Sequence, residues 1–204
     1  MRPALLRALL LPALALLLAG CEQGQSPPFN LTNVTGQVPD LQLGLTDAEG
    51  QVRKAEDYSG RVVLLYTGYT HCPDVCPMTL GRIKQVTDQL GDQAEEVAVL
   101  FVTVDPERDT PKVMRRYTAN FDMPQLTGLL GEGEAFERFK EQFHIYVQKE
   151  KDGPGDTDYI VNHSSQVFVF DQQGEARLVA RLSGQQPDPV DQVVQDVRKL
   201  LEGQ

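Results

Sequence analysis

Two cysteines share one short stretch, Tyr69-Thr70-His71-Cys72-Pro73-Asp74-Val75-Cys76-Pro77. The apolar run Val62-Val63-Leu64-Leu65-Tyr66 before it predicts a buried strand, and Met78, Leu80, Ile83, Val86 and Leu90 after it follow helical spacing. The two thiols therefore fall where a strand ends and a helix begins. A helix N-terminus offers unpaired N–H groups and the positive end of the helix dipole. Both favour the thiolate, which is the form that binds a metal or attacks a disulfide. A disulfide closing so short a loop adds little stability, so a chemical role is expected for the pair.

The spacing narrows that chemistry. Two intervening residues would be the thioredoxin-type redox motif, whereas three let the sulfurs meet or splay around an ion. Soft thiolates select copper(I), zinc or iron–sulfur chemistry. An iron–sulfur cluster calls for four cysteines, and structural zinc for four protein ligands. The chain has three cysteines, and Cys21 lies far upstream of the pair. Two sulfurs with one imidazole make a three-ligand set, which suits copper best.

Three histidines could complete it. His71 adjoins Cys72 and would need a contorted turn to share an ion with both sulfurs, so it is expected beside the site rather than in it. His144 follows an aromatic helical pattern and reads as a surface or core-edge residue. His163 precedes the apolar strand Gln166–Phe170 and is the candidate third ligand.

The rest of the chain supplies the frame. Its 204 residues suffice for one domain with a sizeable core. The formal net charge of −10, without basic clusters, argues against a nucleic-acid partner. Residues 1–20 read as a targeting segment: Arg2 and Arg7, then an apolar stretch from Leu9 to Leu18 too short for a standard spanning helix. Leu18-Ala19-Gly20-Cys21 resembles a bacterial lipobox, which implies cleavage before Cys21 and a lipid on its sulfur. Residues 21–36 then read as a tether with Pro27 and Pro28, and residues 37–204 as the folded domain. A lipid anchor would hold that domain at the bacterial cell membrane, outside the cytoplasm, where a free dithiol stays reduced only with a reductant or a bound metal.

Within the domain, Leu41, Leu43 and Leu45 alternate as a half-buried strand, and Asp47-Ala48-Glu49-Gly50 turns it into a hairpin near Val52. Val97–Val104 predicts a second strand buried on both faces, ending in Asp105-Pro106-Glu107-Arg108-Asp109-Thr110-Pro111. Thr110 or Asp109 can cap the next helix, with Pro111 at its first position. Leu126–Leu130 reads as a short strand, Gly133–Phe143 as a helix with Phe136, Phe139 and Phe143 on one side, and 150–158 as a mobile Gly/Pro/Asp loop. Strands at Gln166–Phe170 and Ala176–Leu182 precede a terminal helix capped by Asp188. This order predicts a layered α/β domain with a mixed sheet.

Three blocks now stand together: Tyr69 to Pro77, Asp105 to Pro111, and Tyr159-x-x-x-His163-Ser164. They resemble the signature blocks of the Sco/SenC family, over about Val38 to Leu201. The resemblance implies a thioredoxin-like fold, a central mixed β-sheet flanked by helices with an extra N-terminal β-hairpin. His163 would take the place of the loop residue, usually a cis-proline, that faces the cysteine loop in such folds. It also implies one copper ion per chain, as Cu(I) or Cu(II), held by Cys72, Cys76 and His163, with Asp105 beside the site. The implied role is a metallochaperone serving the CuA centre of cytochrome c oxidase subunit II. Another periplasmic copper chaperone or a thiol reductant would be a further partner. Many members carry Asp where this chain has Asn162, a change expected to alter the surroundings of the imidazole. The dithiol alone supports an alternative, a thiol–disulfide oxidoreductase that reduces the CuA cysteines or other extracytoplasmic disulfides.

Overall fold

The computed structural model describes residues 28–155 and 159–204. The proposed targeting segment, Cys21 and its lipobox, and the first part of the proposed tether lie outside the described residues.

The first continuous apolar run forms β4 (Val62–Gly68) and the second forms β5 (Val97–Thr103); every residue of both is buried. They pair in parallel from Val62↔Val97 to Gly68↔Thr103. Apolar on both faces, they can sit only at the centre of a covered sheet. Around them runs an eight-stranded mixed sheet in the order β1-β10-β9-β4-β5-β6-β2-β3. The remaining strands are β1 (Thr32–Asn33), β2 (Leu45–Asp47), β3 (Val52–Arg53), β6 (Leu126–Leu130), β9 (Val167–Phe170) and β10 (Ala176–Ala180). A separate two-stranded ribbon is made by β7 (Val147–Lys151) and β8 (Tyr159–His163).

Four α-helices occur among the described residues: α1 (Val75–Leu90), α2 (Pro111–Ala119), α3 (Gly133–Gln142) and α4 (Val190–Leu201). Side chains alternate across a strand, so Tyr66 and its neighbour Phe101 share one face. Beneath α1, Gly68 shares that face: a Cβ there would stand 3.0 Å from Cys76 Sγ and 2.7 Å from Phe101 Cε2. Tyr117 of α2 packs on the same Phe101 at 5.5 Å. On the other face, Phe143 at the end of α3 meets Phe168 and Phe170, which stand opposite Leu65 and Val63. This is the expected thioredoxin-like layering, and the extra hairpin β2–β3 adds to the far edge through β6.

Several local readings need correction. Leu41 and Leu43 are not in a strand; β2 begins only at Leu45. The expected tether is part of the domain by its end. Thr32–Asn33 pair with β10, and the Asn30 and Leu31 amides donate to buried Asp196 at 2.7 and 2.8 Å. Asp188 does not cap α4. Pro189 holds that position, and Asp188 instead accepts from the Arg181 amide at 2.7 Å. Glu150 and Lys151, expected in a loop, belong to β7. Thr110 does cap α2, accepting from the Val113 amide, with Pro111 first in the helix.

Candidate metal centre

Both cysteines sit at the C-terminal end of β4, where the chain turns into α1. Asp74 occupies the cap position of α1 but makes no side-chain cap bond. The Cys72 sulfur does that work instead, accepting from the Cys76 amide at 3.3 Å. Pro77 has no N–H and removes one of the orphan donors at this terminus. Cys72 is half-buried, Cys76 is fully buried, and both are free thiols.

His163 ends β8 and reaches the pair from the other side. Its Nε2 lies 3.6 Å from Cys76 Sγ. Its Nδ1 lies 2.7 Å from the Ser164 carbonyl oxygen. A carbonyl can only accept, so Nδ1 carries the proton and Nε2 turns a bare lone pair toward the sulfur. Tyr69 stands edge-on to the imidazole at 5.9 Å, and Tyr66 lies tilted at 6.5 Å. Burial pulls the imidazole below its usual pKa, which keeps it neutral and able to ligate.

The sulfurs ionise unequally. The hydrogen bond from the Cys76 thiol, outweighing burial and helped by the Cys76 and Asp74 amides, pulls Cys72 down to about 5. The same contact, with burial, pushes Cys76 well above the usual thiol range. The pair thus holds one proton at neutral pH, on the inner sulfur.

The Asp105–Pro111 loop fastens both halves of this arrangement. Buried Asp109 accepts from the Thr70 amide at 2.9 Å, the Thr70 hydroxyl at 2.5 Å and the Thr103 hydroxyl at 2.5 Å, so it pins the cysteine loop. Buried Asp105 accepts from Arg108 Nε at 2.5 Å and from the Tyr159 hydroxyl at 2.7 Å. Arg108 also donates to the Tyr159 carbonyl at 2.9 Å and lies 3.6 Å over the Tyr159 ring. Asp105 therefore acts on the start of β8 and contacts neither sulfur nor imidazole.

The other expected residues fall outside the donor set. His71 is exposed on the far flank of the loop, its Nδ1 3.1 Å from Thr70 Oγ1 and 3.4 Å from Asp109. His71, Asp105 and Asp109 have ligand atoms within 4.8 Å of one another, but hydrogen bonds already engage both carboxylates. Asn162 points away from the imidazole, because neighbours on a strand face opposite ways. Its amide donates to Glu150 across the ribbon at 3.0 Å, so the expected effect of this position on His163 has no direct contact behind it. His144 is exposed and follows the cap residue of α3 in a left-handed conformation with φ 50°. Sequence reading treated Asp109 only as a possible helix cap and missed its hold on Thr70; the Thr103 and Thr70 hydroxyls, distant in sequence, gave no signal for it.

A cleft of about 290 Å³ opens beside Cys72, bordered by Pro73, Val75, Ile160 and Val161 and reaching His163. Cys76 thus stands between Cys72, whose sulfur accepts from its amide, and the His163 Nε2 at 3.6 Å, beneath a small, largely apolar opening. The three candidate ligand atoms do not all lie within 4.8 Å of one another, so Cys72 and His163 must close on Cys76 for one ion to take all three.

The SCO1/SenC family model matches residues 40–202. A mitochondrial SCO2 homolog of Bos taurus is 42% identical over 138 residues, covering 65% of this chain and 50% of its own length. A SCO2-like protein of Rickettsia prowazekii is 31% identical over 130 residues, 64% of this chain and 63% of its own. The chain thus spans between half and two thirds of these curated relatives. Among solved structures, Bradyrhizobium japonicum ScoI with copper bound superposes with a TM-score of 0.70 at 31% identity, over 79% of this chain and 99% of that one. Apo Sco1 from Thermus thermophilus does so with a TM-score of 0.66 at 34% identity, over 84% and 99%. The fold, the motif blocks and these matches agree: the chain belongs to the SCO1/SenC family.

Proposed function

We propose that this protein is a copper metallochaperone, with Cys72, Cys76 and His163 as the ligands, that delivers copper to the CuA centre of cytochrome c oxidase subunit II. The observation that carries the reading is a buried Cys76 flanked by the two other candidate donors: a thiolate-prone Cys72, whose sulfur accepts from the Cys76 amide, and an imidazole whose Nε2 bears no proton and lies 3.6 Å from the Cys76 sulfur. The copper-bound Bradyrhizobium japonicum relative supports it. So does the Tyr66 hydroxyl, which is wholly buried and lies beside Cys76, placed to donate to its sulfur. Loading copper strips the proton from Cys76 and turns its sulfur into an acceptor that such a donor suits. Cys72, facing the cleft, is the sulfur a docked partner's thiolate would replace first, so the ion passes by stepwise ligand exchange. The reading includes an extracytoplasmic domain anchored through lipidated Cys21, and a periplasmic copper donor or thiol reductant that prepares the pair.

A second reading has its own observation. A half-exposed thiolate beside a buried, protonated thiol is the division of labour of an attacking and a resolving cysteine in disulfide exchange. The two readings separate in one experiment. The reduced protein is titrated anaerobically with copper(I), as wild type, Cys76→Ser and His163→Ala, and each is assayed for dithiol reductase activity. One tight equivalent lost in both variants, with reductase activity kept in His163→Ala, supports the chaperone. Unchanged copper affinity in His163→Ala, with loss of reductase activity, overturns it.

A further inference from the structure

The Ser164 carbonyl oxygen accepts two hydrogen bonds. One comes from His163 Nδ1 at 2.7 Å and the other from Thr67 Oγ1 at 3.0 Å. A carbonyl oxygen has two lone pairs and no proton, so both are used and both neighbours must donate. Thr67 is 1% exposed and stands one residue before the end of β4. The preceding positions of that strand, Val62 to Tyr66, are all apolar or aromatic. A hydroxyl buried there is costly unless paired, and valine would fill the same space without the cost. Ser164 is held on its remaining sides by the ribbon: its amide donates to the Tyr146 carbonyl at 3.2 Å, and its hydroxyl accepts from the Tyr146 amide at 3.2 Å.

We infer that Thr67 is a positioning residue for His163. Its hydroxyl fixes the Ser164 carbonyl, which holds the imidazole proton on Nδ1 and aims the bare Nε2 at Cys76. The strand that carries the cysteine loop thereby also sets the state of the third ligand, although the Thr67 hydroxyl bonds neither sulfur nor ring. This inference rests on the ligand role of His163 for its consequence in copper binding, but not for its effect on the tautomer.

The test uses the reduced, copper-free protein first. Long-range ¹⁵N–¹H correlation spectra of His163 report which ring nitrogen is protonated. Wild type should show the Nδ1–H form, Thr67→Ser should keep it, and Thr67→Val should shift toward Nε2–H. Copper(I) affinity, read by competition with a chromophoric chelator, should fall about tenfold in Thr67→Val, the scale of effect when a partner that orients a ligand is removed. It should stay near wild type in Thr67→Ser. A wild-type His163 protonated on Nε2 overturns the inference without any variant, so a Thr67→Val protein that fails to fold does not shelter it. Unchanged spectra and unchanged affinity in a folded Thr67→Val protein overturn it as well. Loss of the ligand reading would show separately, as copper affinity unchanged in His163→Ala while the wild-type tautomer is still Nδ1–H.

Discussion

The two halves of the proposed copper site are held by unlike means. The cysteine half grows out of β4, a fully buried central strand, and passes into α1, whose Leu80, Ile83 and Val86 are wholly buried. The histidine half rides on the ribbon β7–β8, whose strands pair with each other and stand apart from the main sheet. Four of the five residues of β7 are exposed. Polar fasteners hold the ribbon to the domain: Arg108 on the Tyr159 carbonyl, Tyr159 on Asp105, the Val161 amide on the Tyr69 hydroxyl, and Lys149 on Glu107 at 2.6 Å. Regions with little buried apolar surface open at lower free energy than the core. The difference fits the proposed function, in which a carrier holds an ion and then releases it: the two proposed sulfur ligands would stay rooted while the third is withdrawn by loosening a ribbon.

The sharpest contrast is in ionisation. Alkylation of Cys72 should rise with pH through a midpoint near about 5 and then level off, while Cys76 stays unreactive. The sign follows from the cause: the thiolate is stabilised by donors, so it forms below the ordinary thiol range. Cys76→Ala removes the largest donor, and the midpoint should climb toward the free-cysteine value of about 8.5. Iodoacetamide rates across pH, resolved by peptide mass, would show it; a wild-type midpoint near the free value contradicts the asymmetry.

Next in size is the root of the cysteine half. Asp109→Ala leaves the Thr70 amide, the buried Thr103 hydroxyl and the half-buried Thr70 hydroxyl without this acceptor. An unpaired buried donor costs about 1–3 kcal/mol, so the whole change should cost about 3 kcal/mol in urea unfolding. A loss below about 1 kcal/mol, within the range of ordinary surface changes, would mean the loop is not pinned there.

Arg108→Gln attacks the other half. Losing charged hydrogen bonds, worth about 1.5–3 kcal/mol, should show mainly as faster amide exchange in β8 and only partly as global destabilisation. Equal speeding of exchange in β4 and β8 would erase the proposed difference between the halves.

The smallest effect is expected from Asn162→Asp. It places a carboxylate beside exposed Glu150 and leaves the three proposed ligands untouched. Stability should change by no more than about 0.5 kcal/mol, and copper affinity by less than threefold. A large gain in affinity would show that an acid at this position reaches the imidazole after all.

The same division explains what could be read from the residues alone. β4, β5 and α1 announce themselves, because continuous apolar runs and helical spacing are local consequences of burial. The cysteine pair was legible for the same reason: its strand and helix flank it in the chain. The ribbon was not. Val147-Gln-Lys-Glu-Lys151 has no buried face, so no alternation marks it as a strand, and its pairing with Tyr159–His163 depends on backbone bonds that any side chain permits. β1 hid likewise, as two exposed polar residues. The fasteners were illegible because they join distant segments: Thr70 to Asp109, Tyr159 to Asp105, Thr67 to Ser164. Asp105 was expected beside the metal on resemblance, and the structure gives it the neighbouring task of holding the ribbon.

The clamp at the first described residues has a mechanical meaning. Asp196 takes the amides of Asn30 and Leu31 and the Asn30 side chain, and Lys199 bonds both Asp196 and the Pro28 carbonyl. A pull on the chain at Pro28 is thus borne first by α4 and then by the edge strand β1, with two strands between it and β4. The clamp would serve as a strain relief: tension applied at Pro28 would be spent on a charged knot in a helix, and the geometry of the sulfurs spared.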